Sequence, residues 1–499
     1  MCGFAGFVGN TGLSSSIKLS LQAIQHRGQD SAGIGLMYNK SFLIHKDLGY
    51  VARALRDINY EGEGLGIGHV RYPTIGVGIR EDAQPFFSRQ PGMIMAHNGN
   101  IINYNELKAL LKKHSINLSS KCDVEPVLYI LCEQLMKIRE NNHGIYDVVL
   151  ALKETYKLTR GSFSLVGGLY IDGKPTLFCS RDPYGIRPAV WGEKDGSYIC
   201  ASESVCIDVI DAELRGDVAP GEVMFFRQGE QPQTFVIEKA GQAPCVFENI
   251  YFARPDSITD GRSVYSTRIE LGNVLGQEFL TKKINVDVVM PVPDTSVPAA
   301  SAIAEQIKKP LRDGLVKNRY SARTFIMPTQ ISRENELRLK LNPIKSQIED
   351  KKILLVDDSI VRGTTLKRMV SLIRNKGKAK EIHLAITSPA VINPCFYGID
   401  MSVKEELIAY RNATKMGINT RVPISIDDQR KLEARIAEKL GADSLTYLSI
   451  DGVDKVFGKS RCAACFDGQY VVEVEDYAEE IRKDRMGTVC SCNCNPVAT

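Results

Sequence analysis

Two adjacent acids, Asp357 and Asp358, follow a short apolar run at residues 353–356 and precede Ser359, Arg362, Gly363, Thr364 and Thr365. Neighbouring carboxylates can hold ribose hydroxyls, or a magnesium ion that also grips a pyrophosphate. A glycine lets backbone approach an anion closely, and the start of a helix offers unpaired N–H groups and the positive end of a dipole. Together these groups describe a site for a sugar with a phosphate at one end and a pyrophosphate at the other. A second chemistry begins the chain. Removal of Met1 leaves Cys2 with a thiol and a free α-amino group, a nucleophile and a base in one residue. A free α-amine ordinarily titrates at about 8 and a thiol at about 8.5, so such a pair suits chemistry near neutral pH.

Both constellations resemble known families. Residues 353–365 resemble the phosphoribosyl pyrophosphate (PRPP) loop of type I phosphoribosyltransferases. Cys2 is followed in order by Gln25-His26-Arg27-Gly28-Gln29-Asp30, His69-Val70-Arg71-Tyr72, Ala96-His97-Asn98-Gly99-Asn100 and Cys122-Asp123-Val124-Glu125. This series resembles the class II glutamine amidotransferases, which are N-terminal-nucleophile hydrolases. The resemblance implies a glutaminase in which Cys2 attacks the side-chain amide of glutamine. Asn98 and the Gly99 N–H would receive the oxyanion, a large electrostatic contribution in such reactions. Arg71 would take the α-carboxylate, Asp123 the α-ammonium, and Arg27 would support the glutamine site from behind. His26, His69 and His97 accompany these motifs; with the amine as base, they are read as structural. Lys121 and Cys122 stand where small hydroxyl residues are common in that family, which leaves the turn before Asp123 open.

Residues 248–257 resemble the start of the second domain of the glutamine PRPP amidotransferases. That resemblance makes Thr295, Asp357 and Asp358 the magnesium set and gives PRPP to Asp357, Asp358, Ser359, Arg362, Gly363, Thr364 and Thr365. It places Lys317, Arg319 and Arg323 on a loop that closes over PRPP, with Tyr320 and Phe325 walling a route for ammonia. Such a route must be apolar, because ammonia attacks as the neutral base. Thr295 also reads as the N-cap of a helix from about Val297.

Cys462 and Cys465 form a CxxC pair, and Cys245 and Cys395 bring the set to four thiolates from three segments. Four thiolates suit a 4Fe-4S cluster or a tetrahedral zinc ion, and spacing alone does not choose. The resemblance to the iron–sulfur branch of these amidotransferases implies the cluster, with the role of pinning the tail onto the second domain. Cys490, Cys492 and Cys494 form a tail outside that pattern. Residues 452–458 hold five residues between two glycines, one too many for a phosphate-binding P-loop.

At 499 residues the chain has room for two or more domains, and 43% hydrophobic with 24% charged residues is ordinary globular composition. A net charge of +4 gives no reason to expect nucleic acid or a membrane surface. With neither a leader nor a membrane-length apolar run, the expected location is the cytoplasm, where the 13 cysteines are thiols or metal ligands.

The elements that must position these groups read as follows. Residues 163–171 alternate as a strand, and 220–222 mark a hairpin. The apolar runs at 286–292, 353–356 and 382–387 read as parallel strands. Leu366, Met369, Val370 and Ile373 share one face of a helix that Gly377 stops. The polar stretch 228–244 is the best domain boundary. The expected fold is mixed α/β and α+β: a four-layer αββα N-terminal-nucleophile sandwich, then a doubly wound parallel-sheet phosphoribosyltransferase domain. The expected domains are 2–238, 239–455 and a C-terminal segment, 456–499. The activity implied is glutamine-dependent amination of PRPP to 5-phosphoribosylamine, which opens purine synthesis. Rivals are another class II amidotransferase and a non-catalytic PRPP-binding regulator. By resemblance, the expected assembly is a homotetramer inhibited by purine nucleotides.

Overall fold

Both faces of the first strand are apolar. In β1 (Gly3–Gly9), Phe4 and Val8 enter one core while Ala5 and Phe7 enter another. A strand of that kind must lie between two layers. The computed structural model describes residues 2–72, 79–318, 341–401, 403–420, 422–474 and 477. In chain order its next strands are β2 (Ser31–Tyr38), β3 (Ser41–Leu48), β4 (Gly64–Arg71), β5 (Phe86–Ser88) and β6 (Met93–Ile101). After these come β7 (Gly161–Ile171), β8 (Lys174–Arg181), β9 (Val190–Lys194), β10 (Ser197–Ala201), β11 (Glu213–Asp217), β12 (Glu222–Phe226) and β13 (Gln233–Val236).

These strands make two antiparallel sheets, ordered β11-β9-β10-β1-β4-β2-β3 and β13-β12-β8-β7-β6-β5. Phe4, Val8, Leu65 and Ile67 meet Ile94, Ala96 and Val166 between the sheets. The outer face of the first sheet packs on helix Leu13–Ala23 through Ile17 and Leu21. The second packs on helices Val124–Ile138 and Ile145–Leu158. The result is the expected αββα sandwich.

Two small ladders, β14 (Ile258–Thr259) with β15 (Arg262–Ser263) and β17 (Leu315–Lys317) with β18 (Leu341–Pro343), flank the second sheet system. Its body is parallel: β16 (Val288–Pro291), β19 (Lys352–Asp357), β20 (Glu381–Ile386) and β21 (Ser444–Tyr447), side by side in that order. Val289, Leu354, Val356 and Ala385 face helices Val264–Thr281 and Val297–Gln306. Ile353, Leu355, Leu384 and Leu445 face helices Thr364–Leu372 and Ile426–Leu440. Helices on both faces of a parallel sheet make this half doubly wound, as expected.

The structure corrects four local readings. Residues 220–222 form a turn, with Gly221 at φ +70°, but the chain there passes from β11 in one sheet to β12 in the other. It is a crossover, not a hairpin. The left-handed residue ending the helix after the acidic pair is Lys378 (φ +57°), not Gly377. Gly377 is needed instead for space, since a Cβ there would lie 2.5 Å from the Ile348 side chain. The residue before helix Val297–Gln306 is Ser296, so Thr295 is not its N-cap. Finally, β21 is a fourth parallel strand that four residues, Ser-Leu-Thr-Tyr, were too few to announce.

Candidate active site

Register brings the first set of residues together. Gly3 pairs with Val70 across the β1–β4 ladder, so Cys2 lies opposite Arg71. Cys2 shares a face with Phe4 and Val8, while Asn98 shares one with Ile94 and Ala96 across the gap between the sheets. Cys2 and Asn98 therefore face one gap, near the end where His69 of β4 bonds the His97 carbonyl of β6. Cys2 is buried, and its thiol points to the Tyr72 carbonyl at 3.7 Å. The Asn98 side chain is also buried, yet its Nδ2 has no hydrogen-bond partner among the described residues. An unpaired buried donor costs free energy unless a ligand takes it. Its placement suits an oxyanion, and Asn98→Ala is expected to lower kcat for glutamine about 10²- to 10³-fold. A glutaminase assay at saturating glutamine checks this; an unchanged kcat would remove Asn98 from the site. Gly99 is required on packing grounds as well, because a Cβ there would fall 2.0 Å from the Ser162 carbonyl oxygen.

Arg71 and Asp123 line the same end. Arg71 Nη1 lies 2.8 Å from Cys122 Sγ. Burial works against the Arg71 charge, but Cys122, Cys2 and Asp123 around it raise its pKa. Asp123 accepts from the Ile101 N–H at 2.8 Å and from His97 Nε2 at 3.1 Å. Burial opposes its ionisation; His97, the Ile101 N–H and Arg71 more than offset that and hold the carboxyl down to about 2. The Gln84 amide donates to His97 Nδ1 at 3.1 Å, which leaves Nε2 as the donor to Asp123. His69 bonds the His97 carbonyl at 3.1 Å, and His26 contacts Glu203 at 2.9 Å. Each of the three histidines thus has a ring nitrogen engaged by another group of the protein. The turn left open at Lys121 and Cys122 is held by Glu125, whose two oxygens accept from the N–H and hydroxyl groups of Ser119 and Ser120 at 2.6–2.8 Å.

Arg27 sits behind the site. It is fully buried and divided between two carboxylates, with Nε on Glu203 and Nη2 on Glu248 at 2.8 Å. A Cβ on Gly3 would come within 2.9 Å of Arg27 Cδ, so this side chain backs the residue next to Cys2. Burial disfavours its charge, and the two glutamates more than restore it.

The second set gathers at the carboxyl end of the parallel sheet, where open α/β sheets bind ligands. Asp357 ends β19. Asp358 donates its N–H to Asp357 Oδ1 at 3.0 Å and accepts from Ser359 Oγ at 2.6 Å. Burial raises both carboxyl pKa values, and at Asp357 the neighbouring Asp358 adds repulsion. Two buried acids with so few donors around them suit a bound cation, and magnesium asks no more of a protein than one or two carboxylates beside substrate phosphates. Gly363, at φ +78°, lies just before helix Thr364–Leu372, which Thr364 and Thr365 open. Arg362 is paired with Glu406, its Nε at 2.8 Å. Val292 N–H bonds the Val356 carbonyl at 2.8 Å, so Thr295, three residues on, leaves β16 at the same sheet end. Lys317 reaches that loop through an ion pair with Asp294 at 2.9 Å. Arg319, Tyr320, Arg323 and Phe325 lie outside the described residues.

The cysteines make a third group. Cys245 and Cys462 face each other in a parallel bridge, and the Cys465 carbonyl accepts from Ile392 and Asn393, both at 3.0 Å, just before Cys395. Burial pushes the Cys245 thiol up to about 11, against the pull of Arg187; Cys462 and Cys465 are raised by burial and by neighbouring thiols. Three segments thus bring Cys245, Cys395, Cys462 and Cys465 to one core, and a group that bound them would take them as thiolates. Among the described residues, no three or more His, Cys, Asp or Glu side chains form a cage for one ion. The ten described cysteines are all free thiols. Cys490, Cys492 and Cys494 lie outside the described residues.

Glu203, Glu248 and Arg187 join the two halves, a role that no motif assigned to them. Glu203 accepts from Arg254 N–H at 2.9 Å and Ser257 Oγ at 2.6 Å, and Glu248 holds Arg187 Nη1 at 3.1 Å as well as Arg27. Such partners lie 51 to 221 residues apart, so no local spacing could signal them.

Comparison with known proteins follows the same division. A glutamine amidotransferase domain model matches residues 69–209 and a phosphoribosyl transferase domain model matches 266–388. An amidophosphoribosyltransferase from Methanothermobacter thermautotrophicus is 40% identical, covering 94% of each chain. One from Escherichia coli is 37% identical over 97% of this chain and 96% of its own. The solved structure of a glutamine PRPP amidotransferase from B. subtilis, complexed with ADP and GMP, superposes with a TM-score of 0.80 at 33% identity, over 95% of this chain and 98% of that one.

Proposed function

The chain belongs to the amidophosphoribosyltransferase family, and on that footing we propose how its residues divide the reaction. The enzyme moves the amide nitrogen of glutamine onto PRPP, giving 5-phosphoribosylamine, pyrophosphate and glutamate, the first committed step of purine biosynthesis. The proposed domains are a glutaminase at 2–238, a phosphoribosyltransferase at 239–455 and a C-terminal segment at 456–499.

In the first centre Arg71 binds the α-carboxylate of glutamine and Asp123 its α-ammonium. The Cys2 thiolate attacks the amide carbon, and Asn98 with the Gly99 N–H receives the oxyanion. The α-amine of Cys2 takes the thiol proton and returns it to the departing nitrogen as ammonia leaves. Water then releases glutamate. In the second centre the N–H groups and hydroxyls of Gly363, Thr364 and Thr365 hold the 5-phosphate, Asp357 and Asp358 orient the ribose, and Ser359, Arg362 and Lys317 face phosphate charge. Magnesium, held with Thr295, Asp357 and Asp358, would neutralise the pyrophosphate. Arg319 and Arg323 are assigned to the same charge by their sequence alone.

One observation carries the coupling of the two centres. Tyr72 receives the Cys2 thiol on its carbonyl and donates its hydroxyl to Asp400 Oδ2 at 3.3 Å, in the second half. Ammonia made at Cys2 therefore starts beside the wall of the other domain. The direct test supplies glutamine and PRPP together. Glutamate and pyrophosphate are expected in equal amounts; glutamate with no pyrophosphate would overturn the assignment.

The four thiols Cys245, Cys395, Cys462 and Cys465 are proposed to hold a 4Fe-4S cluster, whose contribution would be to cross-link the C-terminal segment to the second domain. Cys462→Ser is expected to lose visible absorbance and to melt at lower temperature. Lost absorbance with an unchanged melt would refute the structural role. The free thiols and phosphorylated substrate favour the cytoplasm, and among the described residues no helix is long and apolar enough to cross a membrane. Purine nucleotides as inhibitors are proposed from the ADP and GMP in the B. subtilis relative, and a homotetramer from the family.

A further inference from the structure

We propose that Asn100 and Ser162 are positioning residues for amide cleavage, and that the loop carrying Cys395 completes the oxyanion strand from the other half of the chain. The proposal rests on the assignment of Cys2 and Asn98 above.

Asn98 and Gly99 lie near the end of β6, and Asn100 pairs with Ser162 across the β6–β7 ladder. Neither polar side chain is satisfied within its own half. Asn100 Nδ2 donates to the Phe396 carbonyl at 2.8 Å and to the Tyr477 hydroxyl at 3.1 Å. Ser162 Oγ donates to the Tyr397 carbonyl at 2.8 Å, and Arg187 Nε donates to the same oxygen at 2.6 Å. Gly398 then lies flat against Gly99: a Cβ there would stand 3.0 Å from the Gly99 carbonyl oxygen, and its φ of +104° already demands glycine. Two consecutive carbonyls and a glycine of this loop therefore fix the peptide between Gly99 and Asn100. An oxyanion donor misplaced by an ångström can cost about 10²-fold in rate.

The other side of the loop is anchored as tightly. Cys395 Sγ accepts from the Tyr397 N–H at 3.4 Å, and the Tyr397 hydroxyl exchanges hydrogen bonds with Val472, both 2.8 Å. The thiol at 395 is thus one or two residues from the carbonyls that hold the oxyanion strand.

The test compares Asn100→Ala, Ser162→Ala and Ser162→Thr with wild type and with Cys2→Ala. Asn100→Ala and Ser162→Ala are expected to lower kcat for glutamine hydrolysis about 10- to 100-fold. KM for glutamine and ammonia-dependent synthesis should stay within about twofold, and Ser162→Thr, which keeps the hydroxyl, should recover most of the loss. Alkylation of Cys2 by iodoacetamide, followed by mass spectrometry, forms no oxyanion and should keep its wild-type rate. Visible absorbance and melting temperature are read on each variant, and should match wild type. Equal losses with glutamine and ammonia, slowed alkylation, or no loss at all would each overturn the proposal. If Asn100→Ala fails to fold, the serine pair decides alone. Retained glutaminase in Cys2→Ala would instead sink the assignment on which the inference stands.

Discussion

Replacing Cys2 by alanine is expected to lower glutamine-dependent synthesis of phosphoribosylamine by roughly 10⁴-fold or more, and to leave synthesis from ammonium salts near wild type. The size follows from covalent catalysis. Without the thiolate no acyl-enzyme forms, and what remains is the residual help of the oxyanion donors and substrate binding. The selectivity follows from the architecture. Cys2 precedes the first strand of the sandwich, while the PRPP groups end strands of a separate sheet. Ammonia supplied from solution bypasses the first centre. The assay should be run at alkaline pH, where neutral ammonia is abundant. A matching loss with both nitrogen sources would mean that Cys2 is structural, and its burial gives that outcome a physical route.

Asp358→Asn should behave in the opposite way: synthesis falls about 10³-fold with either nitrogen source, a few kcal/mol of barrier, while glutamine hydrolysis survives. The amide keeps the shape and can still accept from Ser359 Oγ, so packing should hold. What it lacks is the charge. In the native chain burial raises the Asp358 pKa, and beside it burial and the charge of Asp358 raise that of Asp357, so a proton competes with a cation for the pair. Removing one acid ends the repulsion and weakens the cation site together. Titration with magnesium in the presence of PRPP should show a right-shifted curve. A variant with normal magnesium dependence would move the metal elsewhere.

Much of this was legible because chemistry and chain order coincide. The PRPP loop is one continuous stretch, so strand, acids, glycine and threonines could be read in register. The glutaminase motifs are scattered over 125 residues, but each is a short local pattern. What stayed hidden has a common cause. Glu203, Glu248, Gln84 and Glu125 act on partners reached through the fold, and a lone glutamate looks the same whether it is solvated or clamps two arginines. The fourth parallel strand was missed because four residues carry too little period. The supposed hairpin at Gly221 failed for a different reason: a turn signal reports a change of direction, not which sheet the chain joins next.

The buried ion network has a consequence for anyone recombining relatives of this enzyme. Arg27 and Arg187 come from the sandwich, yet Glu248, which both contact, belongs to the segment that follows it. A sandwich cut away or grafted onto a foreign partner would carry two sequestered cations with one of their counter-charges left behind. Severing a buried pair in that way costs about 3–5 kcal/mol. Chimeras joined after residue 257 should therefore express and fold better than those joined at 238, although the earlier junction looks cleaner on paper.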